Sequence, residues 1–131
     1  EAKNFKNLLI GVEICEDLWV PAPLSSFQAI AGATLLLNLS ASNGLVAKAE
    51  YRRLLVSQQS ARCIACYCYS SAGTGESTSD VVFDGHAIIA DNGDIVAESE
   101  RFSRENQLVM RDVDFQKLVL LLQLQHVHDL H

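Results

Sequence analysis

The apolar positions of this chain fall into short runs that change rhythm from two to three or four residues and back again. Residues 8–15, LLIGVEIC, form a brief apolar run biased toward β-branched side chains, the pattern of a strand covered on both faces. Pro23 stands where the first turn of a helix would begin. LSSFQAIAGA continues with Leu24, Phe27, Ile30 and Ala31 at helical spacing until Gly32 closes it. A second unit repeats the plan: TLLLNLS, 34–40, reads as a strand, ASNGLV as a loop, and a helix is predicted from about Ala47 to Ala61. CIACYCYSS supplies a third strand. Two strand-to-helix units in succession imply parallel strands with helices packed on the sheet.

Beyond residue 71 the pattern changes. AGTGESTSD, 72–80, holds too much Gly, Ser and Thr for regular structure, and VVFDGHAIIADNGDIVAESE reads as paired strands around the turn Asp91, Asn92, Gly93, Asp94. QLVMRDVD, 107–114, predicts one more strand, and DFQKLVLLLQLQHVHDLH a terminal helix. Leu118 to Leu122 are five consecutive apolar residues, which cover more than one helix face, so this helix is expected to leave leucines exposed or to form an interface. Neither a repeat nor a linker interrupts the chain, and no domain boundary is predicted.

At 131 residues, with 49% apolar and 20% charged residues and only two prolines, the composition suits one packed core rather than disorder. Acidic residues outnumber basic ones by 16 to 10, with no basic cluster, which argues against nucleic acid and anionic membrane as partners. No apolar run reaches the roughly 18 to 20 residues of a membrane span, and EAKNFKN lacks the apolar stretch of a signal peptide. A soluble, cytoplasmic protein is expected.

Four cysteines raise the question of metal or nucleophilic chemistry. Cys63, Cys66 and Cys68 lie in the strand-like run CIACYCY, where alternation turns Cys66 and Cys68 to one face, and they read as buried free thiols. A zinc site needs a second ligand pair. His126, His128 and His131 are the candidates and read instead as decoration of a frayed end, so no metal is expected. Cys15 is different, because it ends a strand and is followed by two carboxylates, a tryptophan and a proline in GVEICEDLWVP. A thiol attacks as thiolate and needs backbone amides aimed at the oxyanion it creates; a strand-to-helix elbow supplies such amides, here that of Glu16. That arrangement suits acyl transfer from an amide or ester. The plainer alternative is a cysteine that fills a strand end.

GVEICEDLWVP resembles the nucleophile segment of the nitrilase, or carbon-nitrogen hydrolase, superfamily, and its Cys-Glu-Asp-Leu-Trp resembles the glutaminase domain of glutamine-dependent NAD synthetases. NLSASN at 38–43, AEYRRLLVSQQSARC at 49–63, AGTGESTSDVVFDG at 72–85 and AESERF at 97–102 agree in the same order. The resemblance implies an α/β fold, part of a four-layer α-β-β-α sandwich, with residues 1–131 forming the C-terminal portion of the glutaminase domain and the synthetase domain absent. It implies that Cys15 attacks the side-chain amide of glutamine. The ammonia released serves an ATP- and Mg-using domain that converts nicotinate adenine dinucleotide to NAD, in a full enzyme that forms a homo-oligomer. No cofactor is implied for this chain itself. Ser42 and Lys48 match positions that hold the amino and carboxylate groups of the glutamine; without the resemblance they read as a turn residue and a solvated side chain. Glu16 and Asp17 are expected beside the site, hydrogen-bonded to backbone or to Arg52 or Arg53, since unpaired carboxylates would oppose thiolate formation. Trp19 is expected to pack on the elbow. In the GESTSD loop Glu76 and Asp80 are candidate polar anchors, and a phosphate-binding loop is excluded because its lysine is missing.

The superfamily's catalytic Glu and Lys both precede the cysteine on earlier strands, and only fourteen residues precede Cys15 here. Glu1, Lys3, Lys6 and Glu13 lie on or just before the nucleophile's own strand and cannot take those roles. The isolated fragment is therefore expected to be inactive. Two alternatives stand beside this reading: a free-standing amidase, and a non-catalytic assembly module.

Overall fold

The computed structural model of the chain describes residue 5, residues 8–77 and residues 79–128. Glu1, Lys3, Lys6 and His131 lie outside the described residues, as do the side chains of His126 and His128. The first apolar run becomes β1 (Ile10–Ile14), and Cys15 already belongs to a short 3-10 turn, Cys15–Leu18. Then come α1 (Leu24–Ile30), capped by Pro23, β2 (Leu35–Ser40), α2 (Lys48–Cys63) and β3 (Cys66–Ser71). The Asn-Gly signal gives a hairpin of β4 (Ala87–Asp91) and β5 (Asp94–Glu98), and α3 (Phe115–His128) follows.

The five strands form one mixed sheet in the order β1-β2-β3-β4-β5. β1, β2 and β3 run parallel, as the two strand-to-helix units imply, whereas β4 and β5 run antiparallel. Among the described residues there is one sheet, not the two of a four-layer sandwich. Helices α1 and α2 pack on one face, where Leu36, Tyr67, Tyr69, Ile88 and Ala90 are sealed together with Val56 and Leu18. Burying each such aliphatic side chain contributes about 1.5–3 kcal/mol. The alternate residues point the other way. There Ile10, Val12, Ile14 and Leu39 are 42–64% exposed.

Three expectations need correction. Cys63 is the last residue of α2 rather than part of the third strand, because the helix continues two residues past Ala61 and stops only where Ile64 adopts φ +46°. Residues 81–86 are irregular, so the β4 strand starts later than the apolar pattern at Val81 suggests. Residues 107–114 form no strand: Leu108 and Met110 stay exposed, and the segment runs beside the uncovered sheet face without joining a ladder. In α3, Leu118 is buried while Leu120 and Leu124 are exposed, in line with its excess of apolar positions.

The hairpin turn fixes one further contact. Asn92 (φ +49°) and Gly93 (φ +100°) both have the left-handed backbone of a type I′ turn. A Cβ on Gly93 would come within 2.9 Å of the Ala61 Cβ. The Gly93 N–H donates to Ser60 Oγ at 3.0 Å, and the Ser57 hydroxyl donates to the Gly93 carbonyl. The tip is thus seated directly on α2.

Candidate functional site

Parallel pairing brings the C-terminal ends of β1 and β2 to the same sheet edge, with Ile14 beside Leu39. The next residues along, Cys15 and Ser40, therefore meet: the Ser40 hydroxyl donates to Cys15 Sγ at 3.3 Å. Cys15 is half-buried and has φ +44°, a left-handed conformation that costs a non-glycine residue roughly 1–2 kcal/mol. Two backbone-directed bonds hold this bend. The Ile14 N–H donates to Asp17 Oδ2 at 2.8 Å, and the Trp19 N–H to the Glu16 carbonyl at 2.9 Å. The strain is located at the thiol and held by its neighbours, and backbone outliers of this kind gather at functional sites.

The other candidate residues are distributed unevenly around this elbow. Lys48 opens α2, donates to Asn43 Oδ1 at 2.7 Å, and sits 5.0 Å from the Trp19 ring centroid, while Trp19 stacks obliquely on Tyr51 at 5.6 Å. Trp19 also packs against the core, as expected of a packing residue. Ser42 is buried two residues beyond the end of β2. The side chain of Glu16 is exposed, and Asp17 takes its hydrogen bond from backbone. Arg52 and Arg53 do not serve the elbow's carboxylates. Arg52 binds Asp84, and Arg53 pairs with Glu98 and lies 3.7 Å from Glu50. Glu76 and Asp80 are exposed, and the loop is held instead by its backbone and by Thr74: the Ala72 N–H donates to the Ser40 carbonyl at 2.8 Å, the Gly85 N–H to the Ala72 carbonyl at 3.0 Å, and the Thr74 hydroxyl to the Ser103 carbonyl at 2.9 Å.

Glu13, on the covered face of β1, is a brace. Its Oε2 accepts the Ser25 N–H at 2.7 Å at the start of α1, and its Oε1 accepts the Tyr67 hydroxyl from β3. Burial and this carboxylate push the Tyr67 phenol well above its ordinary range. Both oxygens are engaged away from the thiol.

A second polar cluster escaped sequence reasoning. Fully buried Arg52 donates from one nitrogen to Asp84 Oδ2 at 2.8 Å and to His86 Nδ1 at 2.9 Å, and its guanidinium lies 5.4 Å from the Tyr69 ring centroid. Because arginine only donates, Nδ1 of His86 must accept, so the ring is neutral and its Nε2–H donates to Glu98 Oε1 at 2.6 Å. Burial, with the Arg52 charge beside it, lowers His86 to about 4. The signal was present in α2: Arg52, Val56, Gln59 and Cys63 recur at helical spacing on its buried stripe, so an arginine there demands partners.

Cys63 is a structural thiol, pushed by burial up to about 11 and contacted by Gln59 Nε2 at 3.3 Å. The hollows of about 440 and 630 Å³ lie along the uncovered sheet face and residues 107–112, not around Cys15. Among the described residues, no cluster of three or more metal-ligating side chains forms and no helix is long and apolar enough to cross a membrane.

A mixed sheet with flanking helices and a strained cysteine at a strand-to-helix elbow defines an α/β class, and comparison with known proteins gives it a family. The chain belongs to the carbon-nitrogen hydrolase family, whose profile matches residues 3–121. Within that family it is similar to glutamine-dependent NAD(+) synthetases. It is 48% identical over 117 residues to that of Mycobacterium tuberculosis, covering 89% of this chain and 17% of that protein. It is 33% identical over 112 residues to that of Thermotoga maritima, covering 82% and 19%. The crystal structure of a glutamine-dependent NAD(+) synthetase from Cytophaga hutchinsonii superposes with a TM-score of 0.68 at 33% identity, over 82% of this chain and 17% of that one. The chain thus spans less than a fifth of the length of these relatives.

Proposed function

We propose that this chain carries the nucleophile-bearing part of a glutaminase domain, which frees ammonia from glutamine for an ATP- and Mg-dependent conversion of nicotinate adenine dinucleotide to NAD elsewhere in a cytoplasmic, homo-oligomeric enzyme. The observation that carries the reading is the left-handed Cys15 at the end of β1 with the Ser40 hydroxyl on its sulfur. The Cys15 thiolate attacks the carboxamide carbon, and the tetrahedral oxyanion collapses to a glutamyl thioester as ammonia leaves. Water then cleaves the thioester to glutamate and restores the thiol. Ser42 and Lys48 hold the amino and carboxylate ends of the substrate, with Asn43 setting the position of the Lys48 ammonium. Glu16 borders the site.

The base and the oxyanion-side lysine come from sequence before β1, on a second sheet that packs over the uncovered face and completes the four-layer sandwich. Consistent with this, the Glu13 carboxylate and the Lys48 ammonium both have partners other than the thiol. One lost oxyanion donor alone costs about 10²–10³-fold in rate. The 131 residues by themselves are therefore expected to release no more ammonia from glutamine than a Cys15→Ala control, and steady release above that control refutes this division of the site. Labelling by a glutamine-mimicking diazoketone tests the assignment of Cys15. Modification of Cys15 alone, with protection by glutamine, supports it; equal labelling of all four cysteines shows that this part builds no glutamine pocket.

A further inference from the structure

Past the ends of β2 and β3 the main chain leaves the ladder, and residues 72–77 and 79–86 are irregular. Backbone bonds tie these segments back to the strands. The Ser71 N–H donates to the His86 carbonyl at 3.0 Å, the Gly85 N–H to the Ala72 carbonyl at 3.0 Å, and the Ala72 N–H to the Ser40 carbonyl at 2.8 Å. Residues 84–86 are thus joined through Ala72 to Ser40, whose hydroxyl lies 3.3 Å from Cys15 Sγ. Ser40 alternates with Leu36 and Asn38 on the helix-covered side of β2, so this path does not run over the open face of the sheet.

The far end of the path is set by α2. From that helix Arg52 donates to Asp84 Oδ2 at 2.8 Å and to His86 Nδ1 at 2.9 Å, and Asp84 Oδ1 accepts the His86 N–H at 3.3 Å. All three residues are at most 1% exposed. A buried ion pair often adds little net stability over apolar side chains of the same volume. What this one supplies is a defined position for main chain that no ladder holds.

We propose that Arg52 is a positioning residue for the nucleophile: by fixing Asp84 and His86 it steadies the Gly85, Ala72 and Ser40 main chain and keeps the Ser40 hydroxyl on the Cys15 sulfur. The proposal rests on the reading of Cys15 as the nucleophile. The sulfur attacks in its charged form, and a hydroxyl donating to it favours that form. Loss of the bond lowers the thiolate fraction about tenfold and raises the intrinsic nucleophilicity of the remainder about threefold, a net loss of about threefold in alkylation rate at neutral pH.

The test is a double-mutant cycle on the full chain, read as the rate of Cys15 alkylation by iodoacetamide at neutral pH, with peptide mass mapping to separate Cys15 from the other three thiols. Ser40→Ala and Arg52→Lys are each expected to slow the reaction about threefold. The double variant is expected to be no slower than Ser40→Ala alone, because Arg52 acts through the hydroxyl that Ser40→Ala removes. Ser40→Thr, which restores the hydroxyl, is expected to restore both the rate and its sensitivity to Arg52→Lys. A residue that merely supports the fold changes the rate by the same factor in both backgrounds. Circular dichroism and continued protection of Cys63 check that each variant folds. Asp84→Asn, which conserves shape while weakening the hold of Arg52, carries the conclusion where Arg52→Lys unfolds. An unchanged rate in Ser40→Ala or in folded Asp84→Asn, or equal slowing by Arg52→Lys with and without the Ser40 hydroxyl, overturns the proposal and leaves the diazoketone test of Cys15 unaffected. Failure of that diazoketone test removes the glutamine reading but not a measured coupling of Arg52 to Cys15.

Discussion

On the helix-covered face of the sheet, Glu13, Arg52, Asp84 and His86 are sealed from water, while on the opposite face Ile10, Val12, Ile14 and Leu39 stand open to it. The distribution is the reverse of what side-chain polarity alone would choose. It shows that coverage, not hydrophobicity, decides what is buried. The polar residues are tolerated inside because each is met by a partner: Glu13 by Ser25 and Tyr67, Arg52 by Asp84, His86 by Arg52 and Glu98. The apolar residues outside have no cover among the described residues, and such a face is the mark of an interface.

The strongest challenge to this contrast is to remove one partner on the covered face. Arg52→Met leaves the Asp84 carboxylate buried without its cation, and unfolding in urea is expected to show a loss of about 3–5 kcal/mol. A loss under about 1 kcal/mol would mean that the cluster does not brace the fold. Acid probes the same cluster without mutation. His86 folds with a pKa near 4 against about 6.5 when unfolded, so between those values the unfolded chain holds more protons and stability falls as pH falls. Down to pH 4 this contributes up to about 3 kcal/mol, lost progressively below pH 6.5. Comparison with His86→Gln isolates it, since that variant should show a shallower slope across the same window.

At the elbow, where the two faces meet the sheet edge, Cys15→Gly is expected to be about 1 kcal/mol more stable than Cys15→Ala by thermal melting, because glycine accepts φ +44° without strain. Equal stability would show that the elbow is not strained. The smallest effect should come from the open face. Leu39→Lys is expected to change stability by no more than about 0.5 kcal/mol while reducing self-association by sedimentation and binding of a hydrophobic dye. Destabilisation by several kcal/mol would show that Leu39 is already part of a packed core.

The repeated strand-to-helix units and the Asn-Gly hairpin were legible because their signals are local: apolar rhythm, a proline at a helix start, a turn that needs two left-handed residues. What was misread depended on partners distant in sequence. QLVMRDVD has the composition of a strand, yet strand formation needs a neighbouring ladder, and sequence preference alone does not provide one. The end of α2 was placed early because the residue that stops it, Ile64, is β-branched and carries no stop signal even though it adopts a left-handed cap. At the candidate site, Cys15 and the elbow followed from the motif. Ser40 did not, because its proximity to the thiol comes from parallel pairing of β1 with β2. Of the partners expected for the elbow carboxylates, backbone is the one Asp17 finds, while Arg52 and Arg53 turn to Asp84 and Glu98, more than thirty residues away along the chain.

The seating of the Gly93 turn on α2 bears on the order of events during folding. Residues 48–98 contain α2, β3 and the hairpin, all joined by short connections except for one loop, and the turn can dock as soon as the Ser57–Ala61 stretch is helical. The parallel pairing of β1 with β2 closes a loop of similar length, 25 residues from Ser40 back to Cys15 against 36 and 33 for the docked turn, so chain length favours neither closure. The elbow waits on that pairing, since Ser40 reaches the Cys15 sulfur only with β1 beside β2, and pulsed thiol labelling during refolding should find Cys15 acquiring its native environment no earlier than β1 and β2 pair. The strained bend at Cys15 is thus completed only in a chain whose first two strands are already paired.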